Sequence, residues 1–253
     1  ELRKSVTDAE IEAEIKENSE LFYEIEPVDA EAHAETVRDC LAVRKFIEKR
    51  NLDAFTINFR KIGGDSGIKA MPFIEACKAM ARGIGYAGEG DILTASLVGA
   101  LLKSFSGTAF AEIFCPDWKG EALYMSHMGE SNLKLLENRK TVIKPFPYAD
   151  GPDPTCILGH MVAGKACVLN LLPNAEGWFD VVLCEGEMLQ LPAAIENLPT
   201  SMNGWFKPKG NLADFLEKYS ELGGTHHSAL VYGVSAKSLT LFAKTLGMKV
   251  TVL

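Results

Sequence analysis

Five residues stand where a side chain could do chemistry. Glu89 lies between Gly88 and Gly90, two residues before Asp91, which is placed to cap a helix. A carboxylate there can point into a cleft at a helix N-terminus, where the helix dipole favours its charged form. Glu112 sits inside Ala109-Phe-Ala-Glu-Ile-Phe114, an apolar run of strand character. A carboxylate in such a run is buried or faces a cavity, and it needs a partner, either a metal ion or an arginine. His127 closes the run Leu123-Tyr-Met-Ser-His127, and His226-His227 follow the turn Gly223-Gly224-Thr225. Neighbours along a strand point to opposite faces, so at most one of His226 and His227 readily faces the same site as His127. The other holds structure or touches substrate. His33 and His160 have no carboxylate in motif context and read as structural.

Two glutamates and two neutral imidazoles suit a borderline-to-hard divalent ion. An octahedral ion held by four such ligands keeps two positions for substrate oxygens, and so favours chelation of a hydroxy-carbonyl pair. It would polarise the carbonyl and stabilise an enediolate. The spacing of these residues matches no compact metal-binding signature, so only the fold can bring them together. The chain lacks an H-E-x-x-H or Asp-rich motif, which argues against a metallohydrolase.

The elements that must position these residues fall into two regimes. Thr7-Asp-Ala-Glu10 is a capping box that opens a polar helix to about residue 18. Asp29 caps a second helix with Val37, Cys40, Leu41 and Ile47 as its apolar stripe, and Asn51 ends it. Residues 53–59 alternate Phe55, Ile57 and Phe59 and predict a strand. Pro72 fits the first turn of a helix through Met80, and Asp91 caps another carrying Leu93, Leu97, Leu101 and Phe105. This is the rhythm of an open parallel α/β domain, half of a Rossmann-like unit, over residues 1–107. From Ser106-Gly107 onward, short apolar runs are separated by turn residues. Runs at 109–114, 123–127, 141–145, 155–160, 165–171, 178–191 and 204–207 predict a β-rich, barrel-like domain over 108–253. Two or three helices belong to it, one at 212–222 closed by Gly223 and one capped by Ser235 and closed by Gly247. Strands are expected at 227–232 and 249–253.

The bulk numbers bound the function. The chain has 253 residues, 47% hydrophobic and 24% charged, which is ordinary globular composition. A net charge of −8 does not suit nucleic acid. The longest apolar run, 93–102, is too short to span a bilayer. Six cysteines without a C-x-x-C pair predict six buried thiols in a reducing cytoplasm. The chain begins at Glu1 and stops on an apolar strand, and we expect a piece of a longer protein.

At these residues the chain resembles the L-arabinose isomerase family, within the wider arabinose/fucose isomerase group. The matching segments are Gly85-Tyr-Ala-Gly-Glu-Gly-Asp91 with Thr94-Ala95, Phe110-Ala-Glu112, Ser126-His-Met128 and Gly223-Gly-Thr-His-His227, in the family's order. The chain looks like a divergent branch. Ile92-Leu93 stands where the family typically has Trp-Lys, and Phe114-Cys-Pro-Asp-Trp118 and Met128-Gly-Glu-Ser131 also depart. The resemblance implies a Mn²⁺ site, or one for another divalent ion, made by Glu89, Glu112, His127 and His227, with His226 touching substrate. It implies that the two glutamates move a proton between C1 and C2 of an aldose through an enediol. It also implies a cytoplasmic homo-oligomer, trimer or hexamer, in which a neighbour's N-terminal domain lines the sugar pocket. That domain would be absent here, and the fragment alone would then be inactive. A non-catalytic sugar-binding relative is the alternative.

Overall fold

The structure, a computed structural model, describes residues 1–24, 28–63, 66–143, 146–148, 151–191 and 202–253. Local signals start and stop the helices. Glu10 Oε2 accepts from the Thr7 amide at 2.7 Å and the Thr7 hydroxyl accepts from the Glu10 amide, closing the capping box ahead of α1 (Asp8–Leu21). After β1 (Tyr23–Glu24), Asp29 caps α2 (Ala30–Arg50), and Asn51 ends it in the left-handed conformation at φ 48°. β2 (Ala54–Thr56) is shorter than the strand expected at 53–59, because Asn58 caps a 3₁₀ turn at Phe59–Lys61. Then come α3 (Phe73–Ala81), β3 (Gly85–Ala87) and α4 (Ile92–Leu102). β2 and β3 pair in parallel, Phe55 opposite Tyr86, with α3 in the crossover between them.

The rest of the chain is mostly strand: β4 (Thr108–Asp117), β5 (Ala122–His127), β6 (Leu136–Ile143), β7 (Thr155–Met161), β8 (Gly164–Pro173), β9 (Phe179–Met188) and β10 (Met202–Pro208). α5 (Leu212–Glu221), β11 (His227–Tyr232), α6 (Ala236–Thr245) and β12 (Lys249–Val252) complete it. Antiparallel pairing runs β10–β5–β4–β11–β8–β9 and returns to β10, so six strands close into a barrel. β7, β6 and β1 extend the sheet outward from β10, and β12 adds in parallel to β9. The fold is therefore α/β, a small parallel sheet with helices followed by a closed β-barrel, as expected.

Strand alternation gives the barrel two apolar faces. One cluster gathers Ala111, Leu123, Met125, Val168, Val182, Phe206 and Leu230, with residues from all six strands. The other face, through Phe110, Leu169, Leu183 and Val231, meets α4 and α6. α4 is buried around most of its circumference because it lies between the small sheet and the barrel. Glycine makes its approach to β3 feasible, since a Cβ on Gly85 would stand 2.4 Å from the Ala95 carbonyl and the Gly99 amide.

Two expectations need amendment. Five cysteines are buried, but Cys115 is exposed. The β4–β5 register shifts between Ile113 and Cys115, and that irregularity carries the end of β4 out of the core. The predicted strand at 141–145 ends at Ile143, and Lys144, Pro145 and the turn residue Asp150 lie outside the described residues.

Candidate active site

Glu89 reaches the site from the loop between β3 and α4. It adopts φ 62°, followed by Gly90 at φ 86°. A left-handed conformation costs a non-glycine residue roughly 1–2 kcal/mol, so something must hold it there. Thr56 does: its hydroxyl donates to the Ala87 carbonyl at 2.7 Å and accepts from the Gly90 amide at 3.0 Å. Asp91 caps α4 by accepting from both the amide and the hydroxyl of Thr94.

The histidine pair is clamped from below. Asn170 is buried and donates to the His227 carbonyl at 2.6 Å and to the Thr225 hydroxyl at 2.8 Å. The Tyr219 hydroxyl donates to the Thr225 carbonyl at 2.6 Å. β11 begins at His227, directly opposite Glu112 on β4. His226 precedes the strand, so alternation does not separate the two rings as the sequence suggested. Both Nε2 atoms lie near Glu89 Oε2, at 3.9 Å for His226 and 3.8 Å for His227. Their settings differ: the His226 side chain is 57% exposed and that of His227 is 4% exposed.

His127 closes β5 and approaches the same place. The Phe110 ring lies 4.9 Å from His127 and 5.1 Å from His227, with the two imidazoles 5.6 Å apart. Gly88 makes room for His127, because a Cβ there would stand 2.5 Å from its Cε1 and 2.8 Å from its Nε2. Glu89, Glu112, His127 and Glu130 line a cavity of about 250 Å³ whose other side includes Phe59, Phe73, Phe114 and Tyr148. A larger hollow of about 650 Å³, between Lys165, Glu187, Lys207 and Gly233, lies at the other end of β11 and is not part of this site.

The residues expected from the sequence therefore sort into two overlapping groups. Ligand atoms of Glu89, His226 and His227 lie within 4.8 Å of one another. Glu112 and His127 share the cavity wall with Glu89. Sequence reasoning missed the groups behind the histidines. Asp91 Oδ2 lies 3.0 Å from His227 Nδ1, and Glu130 Oε1 lies 2.9 Å from His127 Nδ1. The second contact is off the axis of a straight hydrogen bond. Asp91 was legible only as a cap, and Glu130 had no signal beyond its position three residues after His127.

The electrostatics follow from burial and these partners. Burial would lift Asp91, but His227 and Thr94 outweigh it and hold the carboxyl at about 2. Burial raises Glu112 above the usual carboxylate range, against the pull of His127, His227 and His226. Burial would lower His127, yet Glu130 raises it. Among the described residues, no lysine or arginine forms an ion pair with Glu89 or Glu112, which removes the arginine reading of Glu112. His227 Nε2 is buried without a hydrogen-bond partner. Carboxylates short of cations beside an imidazole nitrogen with a spare lone pair form a donor set that fits a divalent ion.

Residues 107–249 match the L-arabinose isomerase C-terminal domain, and residues 1–107 match the L-arabinose isomerase central domain. The chain belongs to the L-arabinose isomerase family. Among its relatives, L-arabinose isomerase 1 of Bacillus licheniformis is 28% identical over 97% of this chain and 50% of its own length. The L-arabinose isomerase of Shouchella clausii is 27% identical over 100% of this chain and 52% of its own, and that of Aeromonas salmonicida 27% over 98% and 51%. The chain thus spans about half the length of the curated relatives it matches. No helix among the described residues is long and apolar enough to cross a membrane.

Proposed function

We propose that this chain carries the metal-binding and proton-transfer half of an aldose–ketose isomerase. Residues 1–107 act as its central domain and 108–253 as its C-terminal domain. One observation carries the reading: Glu89 lines one cavity with Glu112 and His127 and also clusters with His226 and His227, and among the described residues these carboxylates meet no lysine or arginine and His227 Nε2 is buried with no hydrogen-bond partner. Glu89, Glu112, His127 and His227 would hold a divalent ion, Mn²⁺ in our reading. When bound, that ion supplies Lewis acidity toward the oxygens of an open-chain sugar.

The chain's own residues do the rest. Glu112, whose carboxyl burial raises, exchanges a proton at a sugar carbon. Glu89, in the same cavity, takes the other end of the transfer between C1 and C2. His226, mostly exposed beside Glu89, contacts the sugar hydroxyls. Phe59 and Phe73 give the cavity an apolar side, which disfavours water beside the reacting carbons. The departure at Ile92-Leu93 lies directly after Asp91, so the preferred sugar is an aldose that need not be L-arabinose itself. We place the site in a cytoplasmic homo-oligomer whose remaining domain completes the pocket.

The test uses the longer protein that contains this chain, loaded with Mn²⁺ and offered pentoses, hexoses and deoxy sugars in deuterated water. Ketose carrying deuterium is expected, and Glu112→Gln should lower its formation by at least roughly 10²-fold. Saturable sugar binding without deuterium exchange would instead identify a non-catalytic binding relative.

A further inference from the structure

His127 and His227 come from different strands, yet each meets a carboxylate at the same ring atom. Asp91 Oδ2 sits 3.0 Å from Nδ1 of His227, and Glu130 Oε1 sits 2.9 Å from Nδ1 of His127. In both cases Nε2 is the other ring nitrogen: that of His227 is buried with no hydrogen-bond partner among the described residues, 3.8 Å from Glu89 Oε2, and that of His127, on the cavity wall, lies against Gly88. Each carboxylate is itself anchored. Asp91 accepts from the Thr94 amide and hydroxyl at 2.9 and 2.7 Å, and Glu130 accepts from the buried Tyr86 hydroxyl at 3.1 Å. Phe110 packs edge-on against both imidazoles, 4.9 Å from His127 and 5.1 Å from His227.

We propose that Asp91 and Glu130 are paired positioning residues that set the tautomer and direction of His227 and His127, with Tyr86 steadying Glu130. The inference rests on the metal-site reading above but goes past it, to groups that reading assigns no part as ligand or proton carrier. A neutral imidazole has one N–H and one lone pair, and a carboxylate at Nδ1 keeps the proton there, so Nε2 becomes the ligand atom. Packing alone does not account for Glu130. It is 1% exposed, and its second oxygen is buried with no hydrogen-bond partner. A buried carboxylate so incompletely satisfied destabilises a fold unless its charge has another use. Asp91 likewise holds two tasks at once, capping α4 and facing His227.

The experiment reads tautomer and metal separately. Long-range ¹H–¹⁵N NMR of the metal-free 253-residue chain should find His127 and His227 protonated at Nδ1 when neutral. Asp91→Asn keeps a capping side chain, and Glu130→Gln keeps the shape but loses the charge. Each should shift its own histidine toward the Nε2–H form and raise the Mn²⁺ dissociation constant by about 10- to 100-fold. Tyr86→Phe, the mildest change, should shift His127 alone. Metal-free Glu130→Gln should melt no lower than the parent, which a purely structural role would not allow. An Nε2–H tautomer at either histidine in the parent chain overturns the proposal. So does unchanged Mn²⁺ affinity in folded Asp91→Asn and Glu130→Gln. Both rings in the Nδ1–H form in a chain that takes up no Mn²⁺ would support the positioning and sink the metal reading instead.

Discussion

Two buried clusters of charge in this molecule follow opposite plans. Between α1, α2 and α3, Arg44 binds both oxygens of Glu14 at 2.8 and 2.7 Å and reaches Glu75 Oε2 through Nε and Nη2 at 2.9 and 2.7 Å. Lys78 adds a contact to Glu14 at 2.7 Å, and Arg82 pairs with the other oxygen of Glu75. Every oxygen of those two carboxylates faces a cation. At the barrel end, Glu89, Asp91, Glu112 and Glu130 face imidazoles, and none of them pairs with lysine or arginine among the described residues. The first cluster is complete and ties three helices together. The second has no such cation among the described residues, and that deficit is the one the proposed ion would fill.

The comparison can be broken by removing one member at a time. The largest effect on folding belongs to the saturated cluster. Arg44→Met leaves Oε2 of both buried carboxylates without a cation, with only Lys78 on Glu14 and Arg82 on Glu75, and should lower stability by about 3 kcal/mol in urea unfolding. Mn²⁺ affinity of the folded remainder should hold, and a parallel fall would mean the two clusters are coupled. Next comes Gly88→Ala, whose Cβ enters the space of His127. Overpacking there should cost about 1–3 kcal/mol, and calorimetry should also register weaker Mn²⁺ binding. Glu89→Gly should act with the opposite sign on the fold. Relief of the left-handed φ should stabilise the metal-free chain by about 1 kcal/mol while the metal is lost.

The smallest effect concerns pH. Burial would raise Glu14, but Arg44 and Lys78 outweigh it and hold the carboxyl at about 2, below the ordinary 4.5. Because the folded value is the lower one, this contribution is present above pH 4.5 and is lost as pH falls from there toward 2. The melting temperature followed down that range should decline in the parent chain and decline less in Arg44→Met.

What could be read from the sequence was local. Thr7, Asp29, Asn51, Asp91 and Ser235 each act within a few residues of themselves, and each does in the structure what its type predicts. The alternation of Phe55, Ile57 and Phe59 marked a strand that forms only over Ala54–Thr56. What stayed hidden depends on partners distant in the chain. Barrel closure needs Met188 opposite Phe206 and Lys207 opposite Glu187, pairings that no local pattern encodes. The exposure of Cys115 follows from a register shift against β5, visible only once both strands are paired. The roles of Asp91 and Glu130 beside the imidazoles escaped for the same reason. His226 and His227 were separated by a rule for strands that applies to only one of them, since the strand starts between the two.

Glu89 stands on the small parallel sheet's side of the molecule, while Glu112, His127 and His227 belong to the barrel. A cation gripped by all four would act as a rivet across that seam, so occupancy and cohesion become one thermodynamic quantity. Linkage then sets the scale: free ion at a hundred times its dissociation constant adds about 2.7 kcal/mol to the folded state. The joint between sheet and barrel would respond to the ambient supply of metal, tightening when ions are plentiful and loosening when they are scarce.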